Sequence, residues 1–132
     1  MTKILMLALA VFVPAKAHAS GSVHCAKSEN SLPLVSLSWG AGHVEGSGRI
    51  SPYRLTLSGR EILVTEKMVR EVGYWIDQDQ ILVRLADDQI EQTKLLLTAS
   101  RDRRHDNYHG TLTISDLEGV SIRDLKMICT RE

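Results

Sequence analysis

The densest group of chemistry-bearing side chains in this chain of 132 residues is Arg101-Asp102-Arg103-Arg104-His105-Asp106-Asn107-Tyr108-His109-Gly110. His105 and His109 stand four positions apart, which on a helix would place both imidazoles on one face for a metal ion, with Asp106 as a third ligand. Asp102, Asn107 and Gly110 favour turn geometry instead, and a turn does not hold that spacing. The segment is therefore read as a polar hairpin tip, and no metal is assigned to it. Such a tip can also serve as a contact loop. Arg101, Arg103, Arg104, His105, Tyr108 and His109 would then offer guanidinium forks and ring donors to a carboxylate or phosphate on a partner.

Other polar groups carry less. Asp77-Gln78-Asp79 and Asp87-Asp88 are acidic turns. Calcium takes about six to eight oxygens, and neither turn has the alternating acids followed by glycine of an EF-hand. A glycosidase needs two carboxyl groups at a defined separation, which spacing along the chain does not supply. Both turns are read as solubilising hairpin connections. Gly40-Ala41-Gly42 lacks the further glycine of a dinucleotide loop, and Gly46-Ser47-Gly48 lacks the lysine of a P-loop. No serine or cysteine nucleophile signature is present. The expectation is a protein that is not an enzyme and carries no cofactor. Among the aromatics, Trp39 is either a core filler or an exposed anchor beside its glycines. Tyr74 and Trp75 point to opposite faces of a strand, so one ring stands outside and joins the candidate binding residues.

These residues must be positioned by strands. The sequence alternates apolar and polar residues over 34–39, 53–57, 61–65, 80–85, 94–101, 108–115 and 120–130, with turn residues between. Ser58-Gly59 is a two-residue hairpin signal. Residues 68–76 are ambiguous, their first part resembling a helical turn, and 43–50 reads as a weak edge strand. Residues 88–92 are a second place for a short helix or turn, with Asp87 as its cap. In the last strand Val120 and Ile122 share a parity that Leu125 and Met127 break, so a bulge near Arg123-Asp124 is expected. Leu95-Leu96-Leu97 has no polar alternation and is expected to be covered on both sides. The fold class is all-β: a single small antiparallel barrel or sandwich of about eight strands.

Residues 1–19 read as a cleaved Sec signal peptide. Lys3 precedes an unbroken apolar run from Ile4 to Val13, Pro14 ends it, and Ala17-His18-Ala19 supplies the small–x–small cleavage pattern. The run is about 15 Å long as a helix, half of a ~30 Å bilayer core, so it is not read as a membrane anchor. Residues 20–132 then form one domain, placed in the periplasm or outside a bacterial cell. All 16 acidic residues lie beyond position 19, whereas Lys3 and Lys16 of the 16 basic ones do not, leaving the exported chain slightly acidic. That balance argues against nucleic acid and anionic membranes as partners. Cys25 and Cys129 permit one intramolecular pairing, expected as a disulfide in an oxidising compartment. The chain-entropy model gives such a bond up to ~4.7 kcal/mol.

In size and layout this chain is similar to the periplasmic lysozyme inhibitors, which present short polar loops to the cleft of a wall-cleaving enzyme. No inhibitor motif aligns with it, and no residue is carried over. The functional expectation is an exported binding or accessory protein, in its specific form an inhibitor or immunity protein of an envelope hydrolase. The alternative is a small-molecule or lipid carrier using a barrel interior. Intact-mass measurement of the exported protein should give a chain beginning at Ser20; a mass that retains Ala19 and the residues before it would overturn the cleavage assignment.

Overall fold

The computed structural model describes residues 20–42, 49 and 51–132. The expected signal segment, most of the weak strand expected over 43–50 and the Gly46-Ser47-Gly48 turn lie outside the described residues. The strands are β1 (Ser20–Lys27), β2 (Val35–Gly42), β3 (Tyr53–Leu57), β4 (Arg60–Val64), β5 (Arg70–Ile76), β6 (Gln80–Ala86), β7 (Thr93–Asp102), β8 (Asn107–Leu117) and β9 (Val120–Arg131). They form one curled sheet in the order β4-β3-β2-β1-β9-β8-β7-β6-β5. Among the described residues there is no helix. Of the ambiguous residues 68–76, Met68 and Val69 close a turn by donating to the Thr65 carbonyl and the rest forms β5; at the second such place Asp87 Oδ1 accepts from the backbone of Glu91 and Gln92 in a turn.

Each strand pairs antiparallel with its sheet neighbours. Counted around the curl, nine alternating strands leave β4 and β5 pointing the same way. Parallel neighbours need a crossover of about a dozen residues or more, and only residues 65–69 join these two. The ring of ladders therefore stays open between β4 and β5, where a fully closed barrel would have had no edge. Both edges carry safeguards against pairing with other chains. β4 is five residues long and starts with Arg60 and Glu61. β5 starts with Arg70 and Glu71 and is bent by an irregularity between Glu71 and Gly73.

Side chains span the opening that hydrogen-bonded strands leave. Trp39 on β2 donates its indole N–H to the Tyr74 hydroxyl on β5 at 2.9 Å. The Tyr53 hydroxyl on β3 donates to Glu71 Oε2 at 2.8 Å, and Arg49 Nε donates to the same oxygen at 3.0 Å. The Arg49 guanidinium also lies 4.9 Å over the Tyr53 ring, a cation–π contact. Burial, the bond to Glu71 and its charge all push the Tyr53 hydroxyl far above its ordinary pKa, so it stays a neutral donor. A groove of about 450 Å³ runs along this opening, lined by Arg49, Tyr53, Val64, Glu66, Glu71 and Leu85 among others.

The inner face follows from the period of two. Val35, Leu37, Trp39 and Ala41 are buried on β2 while their neighbours are not. Leu55, Val83, Leu95, Leu97, Leu112 and Met127 complete the core from other strands. Leu96 faces the other way and is half-buried. β2 does not end at Gly40-Ala41-Gly42, as the glycines suggested. It continues because Ser20, Gly21 and Ser22 of β1 pair with those residues. Ser58 and Gly59 both take positive φ, at 36° and 91°, as do Glu118 and Gly119, at 50° and 78°. These are the conformations of primed two-residue hairpin turns. The expected bulge is present: the β8–β9 register shifts between Leu112–Leu125 and Ile114–Ile122, and Asp124 takes φ 48°.

Cys25 and Cys129 face each other across β1 and β9, bonded with Cα atoms 3.9 Å apart. One glycine is fixed by space alone. Gly110 on β8 sits opposite Ala99 of β7. A Cβ there would overlap the Thr98 carbonyl oxygen and lie 2.7 Å from the Ala99 Cβ. Gly110→Ala should therefore destabilise the protein by about 3 kcal/mol, the upper range for overpacking. That corresponds to a fall in Tm of roughly 10 °C or more in a thermal melt. An unchanged melt would mean that β7 and β8 separate freely at this point.

Candidate functional site

The β7–β8 tip is built by a short connection. Asp102 and Asn107 are the last paired residues, leaving 103–106 to turn the chain, with Asp106 in the left-handed region at φ 53°. Aspartate tolerates that conformation better than most residues. Asp102 organises the turn. Its Oδ1 accepts the Arg104 backbone N–H at 3.0 Å, and its Oδ2 lies 2.8 Å from His105 Nδ1. The His105 bond and then the Arg104 N–H hold the Asp102 carboxyl below its ordinary pKa. His109, pointing outward from β8, places Nε2 at 2.8 Å from Asn107 Oδ1 and 3.6 Å from Asp102 Oδ2.

The tip does not stand alone. The neighbouring β5–β6 turn, residues 77–79, is bonded to it at several points. The Tyr108 hydroxyl donates to the Asp77 carbonyl at 2.7 Å. The Arg101 backbone N–H donates to the Asp79 carbonyl at 2.8 Å. The Arg101 guanidinium binds the Asp106 carboxylate and reaches the Gln78 carbonyl at 3.4 Å. Arg103 stands 3.8 Å from Asp79. On the turn itself, Asp77 Oδ1 accepts the N–H groups of Asp79 and Gln80, and Oδ2 accepts the Trp75 indole N–H at 2.7 Å. These bonds, led by that from Trp75, lower the Asp77 pKa.

Seven of the eight candidate residues thus converge on one end of the sheet, in different roles. Arg103, Arg104, His105 and His109 are exposed, and Trp75 is the outward ring of the Tyr74-Trp75 pair, 42% exposed. Tyr108 is 6% exposed; it is a strut between tip and turn and not a contact residue. Arg101 and Arg103 are expected to be available to an oxyanion, yet both meet acids of their own chain. Trp39 lies apart from the group. It is buried at 3%, packed 5.3 Å from the Tyr53 ring, and fills the core.

Two aspartates that the sequence places in turns, but not among the candidate site residues, do most of the positioning. Asp102 and Asp77 each accept backbone N–H groups two residues ahead, the Asx-turn pattern. The signal available in sequence is an aspartate at the strand end with polar turn residues after it. Asp106, the third ligand in the metal reading that the sequence analysis set aside, is turned toward Arg101.

The depressed Asp102 pKa sets a pH dependence. The stabilisation is fully present above the ordinary aspartate value of 3.8 and is lost as pH falls through the lower folded value. A carboxyl NMR titration should give Asp102 a midpoint below 3.8. His105→Ala should raise that midpoint toward the ordinary value. A midpoint indifferent to the substitution would remove His105 as the main cause.

Comparison with known protein families, with characterised proteins and with solved structures finds no match to this chain.

Proposed function

We propose that this chain is an exported, non-enzymatic binding protein of the periplasm, with its contact surface at the end of the sheet formed by the β7–β8 tip and the β5–β6 turn. The observation that carries this reading is how that end is built. Trp75, Arg103, Arg104, His105 and His109 are presented to solvent on a frame tied together by Tyr108, Asp77, Asp79 and Asp102. A surface already fixed in shape loses less conformational freedom on binding. Tryptophan and arginine are also the residue types that concentrate binding energy at interfaces. The disulfide is consistent with an oxidising compartment outside the cytoplasm, and the features of residues 1–19 favour export.

The specific form is an inhibitor or immunity protein for a hydrolase of the cell envelope. The braced tip offers a cleft both donors and acceptors, through Arg103, Arg104 and the carboxylates that pair with their neighbours. The carrier alternative has less support, because Leu37, Leu55, Leu95, Leu97, Leu112 and Met127 occupy the interior, each under 2% exposed.

The test uses oxidised residues 20–132, which carry the nine described strands, as bait in a periplasmic extract. The expected result is capture of a wall-cleaving enzyme whose lysis of a cell-wall suspension stops when the protein is added. Arg103→Glu with Arg104→Glu should abolish both effects while the fold is kept. Equal capture by the two baits would remove the tip from the interface, and capture of nothing would overturn the binding-protein reading.

A further inference from the structure

The β7–β8 tip brings together three side chains of metal-ligating chemistry, Asp102, His105 and His109, whose ligating atoms all lie within 4.8 Å of one another. Asp102 Oδ2 is 2.8 Å from His105 Nδ1 and 3.6 Å from His109 Nε2. Ligands at about 2.1 Å from a tetrahedral zinc ion stand ~3.4 Å from each other. Both carboxylate–imidazole separations are therefore within roughly 0.6 Å of a ligand edge. The remaining edge, between the two imidazoles, closes by rotation of exposed rings whose centroids are 6.4 Å apart and inclined at 37°.

The surroundings favour this arrangement. Asp102 Oδ1 is occupied by the Arg104 N–H, which turns Oδ2 toward the imidazoles; such outer bonds orient metal-binding carboxylates. His105 follows Asp102 by three residues in a turn closed by the His105 N–H on the Asp102 carbonyl at 3.3 Å. His109 is fixed by its register opposite Ser100. Two nearby guanidinium groups that would repel a cation are drawn off, Arg101 to Asp106 and Arg103 to Asp79. Hydrogen bonds now hold His105 Nδ1 to Asp102 and His109 Nε2 to Asn107. A cation bound to Asp102, His105 and His109 would replace both.

We propose that Asp102 Oδ2, His105 Nδ1 and His109 Nε2 form a surface site for one zinc-class divalent transition metal ion. Two imidazoles with one carboxylate suit zinc, copper or nickel and not the oxygen-seeking calcium or magnesium. Three protein ligands leave a coordination position facing solvent, open to water or to a donor from another molecule. The site stands whether or not the same tip meets a protein partner.

The experiment is calorimetric titration of zinc chloride into the oxidised protein, purified without a histidine tag. The expected result is one zinc per chain with a dissociation constant in the micromolar range. His105→Gln and His109→Gln should each weaken binding about 10-fold or more. Both rings are exposed, so these variants keep the fold, which circular dichroism checks. His24→Gln, an exposed histidine on β1, should leave the affinity unchanged. In the wild type, the His105 Nδ1 and His109 Nε2 nitrogen resonances should shift on zinc addition. Binding weaker than about 1 mM, or equal affinity in the two tip variants, would overturn the proposal.

Discussion

Among the described residues, seven of the eight strand pairings join neighbours in sequence, and one, β1 with β9, joins residues 104 apart. Among the described residues, that ladder is the only one connecting the meander β1–β4 to the meander β5–β9. Every other pairing closes a short loop at small entropic cost, whereas this one closes nearly the whole chain. The disulfide lies in that ladder, with Cys25 opposite Cys129. It therefore constrains the unfolded chain where the loss of freedom on folding is greatest. The inner face of the curl depends on it, because Val23 and Cys25 complete a core that neither meander encloses alone.

The same topology creates the opening on the far side. Where hydrogen-bonded strands do not meet, the protein uses a mixed cluster of Trp39, Arg49, Tyr53, Glu71 and Tyr74. Glu71 accepts from both Arg49 and Tyr53, so its carboxylate is matched on two sides. Buried polar atoms without partners are costly. Here the Trp39 indole N–H donates to the Tyr74 hydroxyl oxygen and the Tyr53 hydroxyl donates to Glu71, while the apolar parts of the rings pack on the core.

Local features of this fold were legible in the sequence, and remote ones were not. Ser58-Gly59 announced its turn because two adjacent residues had to take positive φ. The Arg123-Asp124 bulge was legible because a parity break within one strand leaves no other remedy. The continuation of β2 through Gly40-Ala41-Gly42 was not, because its cause is the distant segment Ser20, Gly21 and Ser22. The open seam depends on the parity of the strand count, which a reading of about eight strands leaves undecided. At the candidate site, sequence proximity suggested Asp106 as the companion of the two histidines. The turn directs Asp106 to Arg101 and Asp102 to the imidazoles, a choice made by backbone hydrogen bonds that composition does not encode. Tyr108 was legible as part of the tip but not as a strut, since its acceptor is 31 residues away.

Ser22 and Glu132 exchange backbone hydrogen bonds at 3.3 and 2.9 Å, while the two sheet edges are successive strands joined by residues 65–69. In a chain of residues 20–132, linking Glu132 to the start of β1 and cutting within residues 65–69 would give a circularly permuted chain that runs β5-β6-β7-β8-β9-β1-β2-β3-β4. Its order along the chain would equal its order across the sheet, so every ladder would become a hairpin. The cross-strand disulfide would then staple one local hairpin, and the contact order that slows β folding would fall. The natural connectivity places its one long-range ladder where the Cys25–Cys129 bond links the two strands covalently.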